Sequence, residues 1–361
     1  MKVPDYIAGL KAYVPGKPIE ELEREYGIAS PVKLASNENA LGPSPKAVEA
    51  IREALRDLHR YPDGYSFRLR EKLAEKLSVS EEEIVFGNGS NEIIELLART
   101  FLRPGDEVVM PAPSFLMYEI MVQASGARPV KVPLKGLHVD LEGLASRLTP
   151  ATRMVFVNNP NNPTGTVISR TQFEQFLKMI PADVLVVVDE AYAEFVRDPH
   201  CARGLDYLHG DNEVVILRTF SKAYGLAGLR IGYGVMQKAV ADVMNRVRQP
   251  FNVNSLAQIG ALAALNDTAF FQETIRLVHQ ELDRLYAEMD RLGLAYLPSQ
   301  ANFFLIDVGI DARVVFENML RKGVIVRAMT AYGYPTYIRI TVGLPKENRR
   351  FVKALEEILN P

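Results

Sequence analysis

Six short apolar runs rich in β-branched residues recur between positions 84 and 235, at 84–86, 107–110, 154–157, 184–188, 214–217 and 231–235. Helix-compatible stretches lie between several of them, at 91–101, 114–124 and 171–179. A strand that is apolar at successive positions has both faces buried. Such strands, separated by helices, form a parallel sheet covered on both sides. The pattern therefore predicts an α/β fold with a large, doubly wound, mostly parallel sheet.

The character of the chain changes after Pro250. Residues 255–292 are almost entirely helix-compatible and form one long helix or two. Three isolated strands come next, at 303–308, 324–327 and 338–342, with helices at 312–321 and 347–359. These predict a smaller α+β C-terminal domain. The first thirty residues carry Pro4, Pro15 and Pro18 and read as an extended arm with one short polar helix at 18–27. The expected division is an N-terminal arm (1–30), a large domain (31–255) and a small C-terminal domain (256–361). A chain of 361 residues is long enough for two domains.

Charge and cysteine content narrow the possible partners. There are 42 Lys and Arg against 44 Asp and Glu, a formal charge of −2. A general nucleic-acid or membrane-surface binder needs a net basic field, so those classes are disfavoured. A small cationic pocket is still allowed. The single cysteine, Cys201, forms no intrachain disulfide, and no signal-peptide core is visible at the start. A cytoplasmic protein is the expectation. His59, His138, His200, His209 and His279 show no metal-ligand spacing, so no metal site is expected. Glu81, Glu82 and Glu83 read as a solvated helix end or turn.

The turns at the strand ends carry the chemistry, because an open parallel sheet binds ligands at the carboxyl ends of its strands. The first run ends in Gly87-Asn88-Gly89-Ser90-Asn91. This is either a tight turn or a loop whose free N–H groups, at a helix start, hold a phosphate. Glu92 occupies the sixth position where a dinucleotide fingerprint needs Gly or Ala, so the Rossmann reading fails. The run at 184–188 ends in Asp189-Glu190-Ala191-Tyr192. Asp189 is either a helix N-cap or a crevice carboxylate that needs a cationic or N–H partner. Lys222 comes after the next run and is either a solvated surface lysine or a desolvated nucleophilic amine. Arg230 lies eight residues further on and offers a phosphate fork. A phosphate cradle, carboxylate, amide, phenol and reactive amine together fit pyridoxal 5′-phosphate.

Three motifs carry a family resemblance. Asn161-Asn162-Pro163-Thr164-Gly165, Asp189-Glu190-Ala191-Tyr192 and Ser221-Lys222-Ala223-Tyr224-Gly225-Leu226-Ala227-Gly228-Leu229-Arg230 resemble, in order and spacing, the core motifs of fold-type I aminotransferases. Four flanking segments narrow the resemblance to the histidinol-phosphate aminotransferase branch. They are Tyr13-Val14-Pro15-Gly16-Lys17-Pro18, Leu34-Ala35-Ser36-Asn37-Glu38-Asn39, Arg60-Tyr61-Pro62-Asp63-Gly64 and Tyr337-Ile338-Arg339-Ile340-Thr341-Val342-Gly343.

The resemblance implies a role for each matching residue. Lys222 would be the catalytic residue, holding the cofactor as a Schiff base and shuttling the proton. Asp189 would pair with the pyridinium nitrogen. Asn162 and Tyr192 would hydrogen-bond the ring's phenolic oxygen, and Tyr118 would stack on the ring. Gly89, Ser90, Asn91, Thr219, Ser221 and Arg230 would hold the cofactor phosphate. Tyr61 would reach that phosphate from a second subunit, which implies a homodimer. Tyr13, Asn37, Arg327 and Arg339 would contact the substrate. The implied reaction is ping-pong transamination between histidinol phosphate and 2-oxoglutarate or glutamate, a step of histidine biosynthesis. An aromatic amino-acid aminotransferase shares nearly all these motifs, and a decarboxylase of a phosphorylated amino acid shares the fold. Three departures from the family pattern stand out: Ala40 where Pro is frequent, Phe115 where Tyr is common, and Asn91 where Asp is common.

Overall fold

The computed structural model describes residues 2–10, 12, 19–28 and 30–360. A two-residue strand, β1 (Val32–Lys33), precedes the main sheet. That sheet has seven strands: β2 (Ile84–Gly87), β3 (Glu107–Ala112), β4 (Arg128–Pro133), β5 (Thr152–Asn158), β6 (Leu185–Asp189), β7 (Val214–Thr219) and β8 (Gly232–Val235). Their spatial order is β2-β8-β7-β6-β5-β3-β4. The neighbours from β7 to β4 pair in parallel, and β8 runs antiparallel to both β7 and β2.

Alternation along these strands fills two cores. Val155, Val157, Val186 and Val188 enter one, against Phe173 and Phe176 of helix Arg170–Leu177 and Leu69 and Leu73 of helix Phe67–Leu77. Met154, Phe156, Leu185 and Val187 enter the other, against helices Ser90–Phe101, Met117–Ala124 and Lys238–Val247. Burying both faces explains why these runs are apolar at every position. Each large apolar side chain so buried contributes roughly 1.5–3 kcal/mol.

Two strands differ from the sequence reading. β4 has no counterpart among the apolar runs; it is an edge strand, half exposed, with Pro129 and Pro133 in it. An edge tolerates proline because its outer N–H groups need no partner. β8 is antiparallel, which periodicity does not reveal.

The C-terminal part of the chain adds a four-stranded antiparallel sheet, in the order β12-β13-β10-β9: β9 (Ala295–Leu297), β10 (Phe303–Asp307), β12 (Arg327–Ala328) and β13 (Tyr337–Thr341). The expected strand 324–327 is split. Its first part, β11 (Val324–Ile325), pairs in parallel with β1, and only β12 joins β13. The segment after the arm is thereby tied to the C-terminal part of the chain, and Leu34 sits in the core there.

The long helical region is two helices, Ser255–Leu265 and Thr268–Arg291. They break at Asp267, whose carboxylate accepts from Ser44 Oγ at 2.7 Å. The acidic run also differs from expectation. Glu83 closes a 3₁₀ turn over Glu81–Glu83 but is buried, its carboxylate accepting from Ser80 N at 2.8 Å. The hydrogen bond satisfies a group that burial would otherwise penalise.

Candidate active site

The chain places β4 on one side of β3 and β5 on the other. This reversal opens a crevice beyond the carboxyl ends of the strands. A cleft of about 200 Å³ lies in that region, among the turns that come after β2, β3, β5, β6 and β7. Ser90, Asn91, Asn162, Asp189, Tyr192, Thr219, Ser221, Lys222 and Arg230 all line it. So do Ser36, Glu38, Phe115, Asn158, Ala191 and Ala227, which the sequence reading does not single out for binding.

An anion cradle forms one part of the cleft. Gly89 precedes helix Ser90–Phe101 with φ +77°. A Cβ there would stand 2.4 Å from Arg230 Nη2, so only glycine lets the guanidinium lie against this helix start. Arg230 itself is left-handed, at φ +58°. That conformation costs a non-glycine residue energy and marks a functional constraint. Its Nη1 reaches toward Ser221 Oγ at 3.5 Å, and Thr219 Oγ1 donates to Ser221 Oγ at 3.0 Å. Helix N–H groups, two hydroxyls and a guanidinium are the donor set of a phosphate site.

Asp189 ends β6 and is buried. Burial pushes its carboxyl up to about 6, although hydrogen bonds from Tyr118 and the Ala191 amide work against that rise. Glu190, its neighbour, points elsewhere and receives Arg218 Nε at 2.8 Å. The alternation of the strand thus selects Asp189 for the cleft.

Lys222 Nζ donates to Ser36 O at 3.2 Å and lies over the Tyr192 ring at 5.7 Å. Burial and the Arg339 charge lower this amine to about 8. About a tenth is therefore neutral, and nucleophilic, at pH 7, against well under a thousandth of an ordinary lysine. Tyr192 Oη accepts from Asn37 Nδ2 at 2.9 Å and from Asn162 Nδ2 at 3.4 Å. Burial raises its phenol to about 12, so it remains protonated.

Tyr118 and Asn37 are not among the residues that line the cleft. Tyr118 is fully buried, stacks on Phe156 at 4.3 Å and does not line the cleft. Phe115, three residues earlier, lines it instead. The helix begins at Met117 rather than at 114, which leaves Phe115 in the turn before it. Asn37 is 2% exposed and does not line the cleft either. Held at φ +54°, it turns its amide onto Tyr192 while Ser36 and Glu38 face the cleft. The αL turn could be suspected from Asn, which tolerates that region. Its consequence for the flanking residues is not written in the sequence.

Arg339 is buried beside the cleft. Its Nη1 donates to Asn162 Oδ1 at 2.5 Å and its Nη2 to Ala35 O at 2.9 Å. Arg327 sits directly opposite on β12. Like charges at facing positions repel, so the register gathers positive charge on one side of the sheet. Tyr61 is far from burial, 84% exposed and stacked on Phe251. Tyr13 lies outside the described residues. Among the described residues no His, Cys, Asp or Glu group of three is placed to hold a metal ion, and no helix is long and apolar enough to cross a membrane.

Amine, buried carboxylate and anion cradle on strand ends define a class that comparison with known proteins bears out. The family profile "Aminotransferase class I and II" matches residues 29–355. The chain belongs to this family, in its histidinol-phosphate aminotransferase branch. It is 49% identical over 359 residues to histidinol-phosphate aminotransferase of Moorella thermoacetica, covering 99% of this chain and 93% of that protein. It is 50% identical over 352 residues to histidinol-phosphate aminotransferase 2 of Pseudomonas aeruginosa, covering 97% and 95%. The crystal structure of histidinol-phosphate aminotransferase from Sinorhizobium meliloti, in complex with pyridoxal-5′-phosphate, superposes with a TM-score of 0.91 at 30% identity, covering 99% of this chain and 97% of that one.

Proposed function

We propose that this chain transfers an amino group between histidinol phosphate and 2-oxoglutarate, with pyridoxal 5′-phosphate as cofactor. The observation that carries this reading is one cleft holding a depressed-pKa lysine, a buried aspartate and a Gly-Ser-Arg anion cradle. The donor set fits the cofactor. Ser90, Asn91, Thr219, Ser221 and Arg230 would hold its phosphate, with Gly89 making room. Asp189 would face its ring nitrogen, and Asn162 and Tyr192 its phenolic oxygen. Phe115 takes over the place at the ring first expected for Tyr118. When bound, the cofactor supplies an aldehyde and an electron-withdrawing ring.

The protein's own groups do the rest. Lys222 Nζ would be the attachment amine and, once free, would carry the proton from the substrate Cα to the cofactor's former aldehyde carbon. Asp189 favours a proton on the ring nitrogen. Arg339, with Arg327 across the strands, orients the substrate's anionic end. Guanidinium binds phosphate and carboxylate alike with two parallel hydrogen bonds, which suits two substrates using one site in turn.

The test compares kcat/KM for histidinol phosphate and phenylalanine with 2-oxoglutarate as acceptor. We expect histidinol phosphate to lead by about 100-fold or more, because phenylalanine offers the arginines a shorter, singly charged carboxylate in place of the phosphate ester. Equal values, or a lead for phenylalanine, would overturn the substrate assignment and leave the reaction class standing.

Cofactor capture has its own pH signature. Only the neutral amine attacks an aldehyde, and Lys222 loses its proton near pH 8. The capture rate of cofactor-free protein should climb with pH and level off above about 8. An ordinary lysine would keep climbing to about 10.4.

The active unit is a homodimer in this reading. Tyr61, Tyr65 and Phe67 are 84%, 74% and 57% exposed in one chain, an aromatic surface that a second copy would cover. From there Tyr61 would reach the partner's cofactor phosphate. We also infer an arm (1–30), a large domain (31–255) and a small domain (256–361), and a cytoplasmic location consistent with one buried, unpaired cysteine.

A further inference from the structure

Tyr118 has a place that packing alone does not explain. Its ring lies parallel to Phe156 at 4.3 Å and 8°, with the Phe115 ring edge-on at 5.6 Å. Two rings thus set its position and tilt. The hydroxyl so delivered donates to Asp189 Oδ2 at 2.6 Å, in a region where both residues are buried. The other carboxylate oxygen accepts from the Ala191 amide at 3.1 Å. A phenylalanine would fill the same stack, so the hydroxyl has a separate purpose.

We propose that Tyr118 is a positioning residue for Asp189, its phenol keeping that carboxylate ionised and aimed at the cofactor's ring nitrogen. This rests on the reading of Asp189 as the partner of that nitrogen. A buried carboxylate without donors takes up a proton and ceases to be a counter-ion. The charged and titratable groups around Asp189 pull in opposite directions. Glu190 disfavours its charge and Lys222 favours it, while the Tyr192 phenol stays neutral. A short hydrogen bond from a neutral donor adds stabilisation of the anion without adding a competing charge. Tyr118 touches neither the cleft nor the substrate site, so it acts only through Asp189.

The experiment is cofactor affinity against pH in the full chain. Cofactor-free protein is titrated with pyridoxal 5′-phosphate from about pH 5.5 to 8.5, a range that brackets the carboxyl. In Tyr118→Phe, the pH below which affinity falls should move up by roughly one unit or more, the worth of a hydrogen bond to a charged group. Site-specific 3-fluorotyrosine at position 118, a stronger donor, should move it down. That variant keeps the test open if Tyr118→Phe folds poorly. Phe156→Leu loosens the ring stack but keeps the hydroxyl. It should lower the thermal midpoint and move the pH midpoint by much less than Tyr118→Phe does. Asp189→Asn should remove the fall in affinity near pH 6 and leave the rise that follows Lys222 toward pH 8. A wild-type profile in Asp189→Asn would overturn the assignment of Asp189 itself. If Asp189→Asn behaves as expected, an unmoved midpoint in both Tyr118 variants, or an equal shift in Phe156→Leu, would overturn the role of Tyr118 alone.

Discussion

Lys222→Ala should lose turnover by at least about 10⁴-fold, because the proton transfer and the attachment chemistry fall on one atom. Lys222 carries the only amine among the residues that line the cleft. Arg230 is the other cation there, and a guanidinium cannot be deprotonated at working pH. The cofactor's covalently attached chromophore should vanish with the activity, while the phosphate cradle still binds cofactor reversibly. Single-turnover kinetics and the visible spectrum read the two effects separately. A variant keeping both would end the assignment. Stability should move the other way. An amine with a lowered pKa is charged at a cost below about 8, and that cost disappears above its unfolded value of 10.5. Cofactor-free Lys222→Ala should therefore melt higher than wild type at neutral pH and match it in strong base.

Arg339→Ala is the second large effect. Truncating one partner of a buried, hydrogen-bonded charge costs about 2–5 kcal/mol, roughly 30-fold to several thousand-fold in affinity. The loss should appear as a raised KM for histidinol phosphate and 2-oxoglutarate alike, since one guanidinium serves both. Part of it comes from Asn162, whose Oδ1 loses its donor. Arg339→Lys keeps the charge and loses the fork, so a smaller rise of about tenfold is expected. A further consequence separates this residue from a mere structural ion pair. After burial, the Arg339 charge is the next cause that lowers Lys222. Removing it should shift the plateau of cofactor capture to higher pH. Steady-state kinetics with both substrates and a capture-rate profile check these outcomes. Unchanged KM values would assign Arg339 to the fold.

Much of this site is legible along the chain because its residues sit at strand ends. Asn158, Asp189 and Thr219 close β5, β6 and β7, where an apolar run stops and a polar turn begins. A local change of that kind is visible in sequence. The errors share another cause. The resemblance alone implies Tyr118 at the ring, and no local pattern shows that Phe115, in the turn before helix Met117–Ala124, meets the cleft while Tyr118 enters the core. Glu83 and Asn37 are polar residues whose burial depends on a distant partner or an unusual dihedral. β8 is buried along its length, as are β2 and nearly all of β7, so its direction is invisible until it is paired.

The residues along the chain suffice to show which chemical groups the strand ends carry and that the strands between them are buried on both faces. Burial of apolar runs is a local property, so composition and spacing suffice for it. Which groups share a cleft depends on how the chain packs. Lys222 meets Ser36 across 186 positions, Asn162 meets Arg339 across 177, and Asn37 meets Tyr192 across 155. Those meetings come from strand order, from β1 pairing with β11, and from the register that sets Arg327 against Arg339. Desolvation does the remainder. The Lys222 amine is lowered to about 8, and the Asp189 carboxyl raised to about 6, only after the packed chain has removed the water around them.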